Sequence, residues 1–108
     1  MVTVIVDGEN VRRSVWPNIC GEQLVELVRD WAEREGVAPL IVFDGRAPVD
    51  ADDVVATGRE SADDWIVREA DSYAPYWLVT SDRELRARVG AGPERVVGGG
   101  SFAREIRR

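Results

Sequence analysis

Val2 to Val6 is β-branched throughout, an apolar run that suits a strand with neighbours on both faces. It ends abruptly in Asp7-Gly8, a turn signal, with Asn10 just beyond. Asn10 to Gly21, which carries Trp16-Pro17-Asn18, reads as an irregular connection. Leu24, Leu27, Val28, Trp31 and Ala32 then recur at helical spacing, with Glu22, Glu26, Arg29, Asp30 and Glu33 on the other face, and Gly36 stops the helix. Pro39 to Phe43 repeats the plan of the first strand and closes in Asp44-Gly45. A polar, proline-containing loop from Arg46 to Asp53 leads to Val54 to Thr57, a short strand placed at an edge. Glu60-Ser61 precedes a helix predicted over Ala62 to Asp71, with Trp65, Ile66, Val67 and Ala70 as its apolar residues, broken by Ser72 to Pro75. Tyr76 to Thr80 predicts a fourth strand ending in Ser81-Asp82, and Arg83 to Val89 a short helix stopped by Gly90. Arg95 to Val97 predicts a last strand, the glycines from Gly98 a flexible turn, and Phe102 to Arg107 a closing helix.

This alternation is that of an α/β domain, a mainly parallel sheet with helices on both faces. Ligands of such sheets sit outside the carboxyl ends of the strands, and right-handed crossovers bring Asp7, Asp44 and Asp82 to one edge. The chain of 108 residues is expected to form one domain, 1–108. Its hydrophobic fraction of 44% and charged fraction of 31% are those of an ordinary globular protein. No apolar run approaches the roughly 20 residues that span a bilayer, and the N-terminus lacks a signal-peptide pattern, so a cytoplasmic location is expected. Cys20 is the lone cysteine, which excludes an intrachain disulfide and a cysteine-based zinc site.

Two absences narrow the chemistry. Without histidine there is no Ser-His-Asp triad, no Cys-His pair and no imidazole zinc site. Without lysine, all 14 positive charges are arginine, which removes a P-loop lysine and a Schiff base. The glycine pairs near the C-terminus do not form a dinucleotide fingerprint. A net charge of −6 argues against a nonspecific nucleic-acid coat, but a divalent ion in an acidic pocket offsets such charge.

Several acids have local explanations. Asp-Gly is a common turn after a strand; Ser81 and Glu84 have the spacing of a capping box around Asp82; Ser61 and Asp64 have the spacing of a helix cap. Asp63, however, shares a helical face with Ile66, Val67 and Ala70, which must pack on the sheet, so its carboxylate points to the crevice. Asp7, Asp63 or Asp64, and Asp82 together make an oxygen-only site suited to Mg²⁺ or Mn²⁺. Such ions activate water and stabilise a phosphate under in-line attack, which is the chemistry of phosphodiester hydrolysis. Arg12, Arg13, Arg59 and Arg83 are candidates for backbone phosphates.

Asp7-Gly8-Glu9-Asn10, the Phe43-Asp44 pair, Glu60-Ser61-Ala62-Asp63-Asp64 and Thr80-Ser81-Asp82-Arg83, in that order over nearly the whole chain, resemble the NYN domain of the PIN-like nucleases. The resemblance is closest to the bacterial YacP-like group. It implies a Rossmann-like PIN fold of strand order 3-2-1-4-5 and divalent-metal endoribonuclease activity on single-stranded RNA, including mRNA at the ribosome. It further implies that Asp7, Asp63 and/or Asp64, and Asp82 are the metal-binding acids. Asn10 would support the site or contact substrate together with Ser81, and Asp44 would lie at its edge. Glu9 departs from the pattern, where many relatives carry an aromatic residue, and these 108 residues are expected to lack much of the basic C-terminal region of longer relatives. The expected function is therefore a metal-dependent endoribonuclease leaving a 5′-phosphate and a 3′-hydroxyl. The alternatives are an RNA- or partner-binding module of the same fold with little turnover, and a phosphohydrolase acting on a small substrate. Oligomeric state is not readable from the residues.

Overall fold

A computed structural model describes residues 1–108. Its sheet has five parallel strands: β1 (Thr3–Asp7), β2 (Ala38–Phe43), β3 (Val54–Ala56), β4 (Tyr76–Val79) and β5 (Arg95–Val97), in the order 3-2-1-4-5. The helices are α1 (Gly8–Arg13), α2 (Gly21–Glu35), α3 (Ala62–Glu69), α4 (Arg83–Val89) and α5 (Gly99–Ile106). No helix is long and apolar enough to cross a membrane.

Alternation along the strands sorts the core into two halves. Val4, Val6, Ile41, Phe43 and Val79 face Val11, Leu24, Val28, Trp31 and Phe102 of α1, α2 and α5. Ile5, Leu40, Val42, Tyr76 and Leu78 face Ile66 of α3 and Leu85 of α4. Because successive side chains of a strand point to opposite faces, Asp7, Asp44 and Thr80 continue the rows that end in Ile5, Val42 and Leu78. All three therefore leave the sheet on the side of α3 and α4. Val6 pairs with Val79 and Asp7 with Val42, so Asp7 is flanked by Thr80 while Asp44 lies further along the strand direction.

The segment expected to be an irregular connection begins as a helix. Asp7 keeps an extended backbone (φ −74°, ψ 95°), and α1 starts at Gly8 with Glu9 in its first turn and Arg12 and Arg13 in its last. These charges complement the helix dipole, and Val11 is buried beneath it. Gly8 is thus a site of close approach, not a turn. A Cβ there would lie 2.9 Å from the Val42 carbonyl oxygen and 3.1 Å from the Phe43 ring. Gly8→Ala is expected to cost about 2 kcal/mol in denaturant unfolding, because the clash involves backbone and outweighs the gain in helix propensity.

Other boundaries move less. Gly36 caps α2 with a left-handed φ of 68°, as its position predicted. The helix expected to reach Asp71 tightens after Glu69 into a 3₁₀ turn, Ala70–Tyr73. Gly99 and Gly100 do not form a flexible turn but open α5. A side chain on Gly99 would collide with the Asn10 Oδ1, so glycine allows α5 to start against α1.

Candidate active site

The buried residues include only two that are polar or charged, Asp7 (5% exposed) and Thr80 (0%), and they touch. Thr80 Oγ1 donates to Asp7 Oδ2 at 3.0 Å, and the same hydroxyl accepts from the Asp82 N–H at 3.1 Å. Arg86 holds the end of β4 by donating twice to the Thr80 carbonyl, at 3.0 and 2.7 Å. Burying a carboxylate is costly unless something compensates it. Burial pushes the Asp7 carboxyl up from 3.8 to about 6, against the pull of the Thr80 hydrogen bond. The charge of Asp63 adds to the rise, the Asn10 N–H opposes it without making a capping bond, and Asp44 adds a smaller push.

Asp7 forms the floor of a cleft of about 190 Å³ with no hydrophobic lining residue. Asp44, Asp63 and Asp82 stand around it, with Ser61, Glu9, Asn10 and Arg13 completing the wall. A larger cavity of about 370 Å³ along α2 contains none of the predicted site acids, so burial and charge, not volume, single out the strand-end cleft.

Asp44 and Asp82 are each held by the start of a helix. Asp44 Oδ1 accepts from the Ala62 N–H at 2.7 Å, which ties the end of β2 to the first turn of α3. Ser61 caps that helix, its hydroxyl accepting from the Asp64 N–H at 3.0 Å. The neighbouring aspartates then part. Asp63 faces the cleft, and its carboxyl is raised by burial first and by the charges of Asp82 and Asp44 next. Asp64 is exposed and turned away, accepting from Arg88 Nη2 at 2.9 Å. The expected capping box at Ser81 is not formed. Asp82 itself caps α4, its Oδ1 accepting from the Glu84 and Leu85 N–H groups at 2.9 and 3.1 Å. Ser81 Oγ instead accepts from the Gly99 N–H at 2.7 Å.

Asn10 and Ser81, read as substrate contacts, hold each other: the Ser81 N–H donates to Asn10 Oδ1 at 2.9 Å. Together with the Gly99 contact, this pair pins α1, β4 and α5 around the cleft. Of the four candidate arginines only Arg13 lines it. Arg12 is paired with Glu9 (2.9 Å), which offsets the charge that Glu9 brings to the cleft. Arg59 and Arg83 are exposed and outside the wall. Thr80 was not among the predicted site residues. The signal that could have found it was its parity with Leu78, which aims it at the face where Asp7 lies.

No three acidic side chains stand close enough together to grip one ion among themselves. The carboxylates instead ring a polar space, with both protonatable and cation-attracting positions at its floor.

No family model matches the chain, and no curated protein matches it in sequence. A solved structure does: the crystal structure of Rae1 (YacP) from Bacillus subtilis, in a mutant form, is 22% identical, with a TM-score of 0.77 over 99% of this chain and 76% of that one. The five parallel strands in order 3-2-1-4-5, with acids at the carboxyl edge, thus form the fold of a YacP-group structure, the group that the sequence motifs resemble.

Proposed function

We propose that the chain is a divalent-metal-dependent endoribonuclease of the YacP-like NYN group, cleaving single-stranded RNA in the cytoplasm, with mRNA at the ribosome as one setting. The observation that carries this reading is the cleft itself, where Asp7, Asp44, Asp63 and Asp82 surround one space without an apolar side chain. Oxygen-only donors suit Mg²⁺ or Mn²⁺. Mg²⁺ keeps several of its waters and takes one or two carboxylates directly, which suits acids spread around a cleft better than a closed zinc cage.

In this reading one or two of Asp7, Asp63 and Asp82 would hold the metal directly and the rest through its waters, Asp44 acts from the rim, and Asp64 serves the helix and Arg88. The ion supplies an activated water and charge neutralisation at the phosphate. Asp7, fixed by Thr80, presents its second oxygen to the cleft. Asp82 has one oxygen committed to the α4 cap and one left over. Arg13, the cation on the cleft wall, is placed to take a backbone phosphate. Arg12 is engaged by Glu9, so its removal is expected to change RNA affinity less than that of Arg13.

The test is cleavage of an unstructured RNA by the purified chain with Mn²⁺ or Mg²⁺ and with EDTA. Cleavage with 5′-phosphate ends that EDTA abolishes is expected; metal-independent cleavage, or equal activity from Asp7→Asn, would refute it. A second reading, an RNA- or partner-binding module with little turnover, draws on the wide spacing of the acids. RNA retained but not cut under saturating Mn²⁺ selects that reading.

A further inference from the structure

Trp16 is 83% exposed, whereas Trp31 is buried and Trp65 and Trp77 are partly buried. It follows α1 and stands over a cavity of about 210 Å³ closed on the other side by Ala103, Arg104 and Arg107 of the α5 segment. Arg107 Nη1 donates to the Trp16 carbonyl at 2.9 Å, which fixes a guanidinium at the Trp16 backbone. Arg104, Arg107 and Arg13 join none of the ion pairs of the chain, although the protein carries a net charge of −6. Two of these unpaired cations, Arg104 and Arg107, line the same cavity as the exposed Trp16.

That place connects to the cleft. The 6 residues of α1 run from the floor at Asp7 to Arg13, a rise of about 9 Å, and Trp16 follows directly. Arg13 belongs to the cleft wall and lies between the two ends. An unpaired nucleobase offers a π-face to an indole, and its flanking phosphates suit guanidinium groups. A merely structural tether would need Arg107 and the Trp16 backbone, but not an exposed ring. We infer that Trp16 is a stacking platform for one base of a single-stranded RNA. Arg104 and Arg107 take neighbouring phosphates, and the strand runs past Arg13 into the acidic cleft. The inference rests on the RNA substrate proposed above.

Binding of an end-labelled, unstructured RNA oligonucleotide, measured by fluorescence anisotropy in EDTA, tests it. Trp16→Ala is expected to weaken binding about tenfold and Trp16→Phe to restore most of it, with unchanged melting temperatures because the ring is exposed. Binding of the same sequence as a duplex is expected to be unaffected by Trp16→Ala. In Mn²⁺, the same substitution should raise KM and leave kcat unchanged. Equal affinity of wild type and Trp16→Ala overturns the inference, and RNA cleavage that persists then leaves the nuclease reading intact. Trp16-dependent binding without any cleavage overturns the nuclease reading and leaves the stacking platform standing. Absence of both binding and cleavage overturns both.

Discussion

Replacing Asp7 with asparagine is expected to stabilise the protein and abolish the proposed RNA cleavage. The ordinary carboxyl value of 3.8 rises to about 6 on folding, chiefly through burial. The folded chain therefore binds the Asp7 proton more tightly than the unfolded chain does. Its contribution to stability is fully present below about pH 4 and is lost as pH rises through about 6. At pH 7.5 the ionised carboxylate costs about 3 kcal/mol, from the size of that rise. Asparagine keeps an acceptor for Thr80 and carries no charge. Thermal denaturation across a pH series should show the variant more stable than wild type by about 1–3 kcal/mol at pH 7.5, with the two curves converging towards pH 4. Mn²⁺ should raise the melting temperature of wild type and leave that of the variant nearly unchanged. A variant less stable than wild type at pH 7.5 would show that the carboxylate serves structure and not chemistry. Conversely, a gain in stability joined to a loss of RNA cleavage is what a site that retains an unfavourable charge for its function produces.

The second large effect separates two adjacent residues. Asp63→Asn is expected to lower RNA cleavage by a hundredfold or so, and Asp64→Asn to leave it within about threefold. Loss of even an outer partner of a bound metal costs about 10–100-fold, so removal of a carboxylate facing the cleft belongs at or beyond the upper end. Asp64 forms an exposed pair with Arg88, with the two side chains 57% and 38% exposed, and such pairs contribute little. The measurement is kcat/KM for both variants under saturating Mn²⁺, alongside melting curves that show both folded. Equal losses would place the two acids in one shared role and would refute the division.

Much of the architecture was legible because its signals are local. Val2 to Val6 and Pro39 to Phe43 each run apolar to an aspartate, and the helix stop at Gly36 depends on one residue and its φ. Strand order came from the family resemblance of the motifs and not from periodicity. What escaped the reading depended on contacts between remote segments. Gly8 resembles a turn until β2 is placed against it, and Gly99 resembles a flexible linker until Asn10 occupies the space where a side chain would stand. Ser81 has the spacing of a cap, but α4 begins at Arg83, so Asp82 is its cap and the Ser81 hydroxyl serves Gly99.

That acids end the strands of a parallel α/β sheet was readable from the residues alone, since an apolar run followed by aspartate is written in consecutive residues and strand alternation fixes the face. The tertiary structure adds that Asp63 faces the cleft and Asp64 does not, and that Arg13 lines it while Arg12 is paired with Glu9. Adjacent helical side chains diverge by about 100°, and the rotation of a helix is set by what it buries. In α3 that is Ala62 and Ile66 packed on the sheet, which turns Asp63 to the cleft and leaves Asp64 to Arg88.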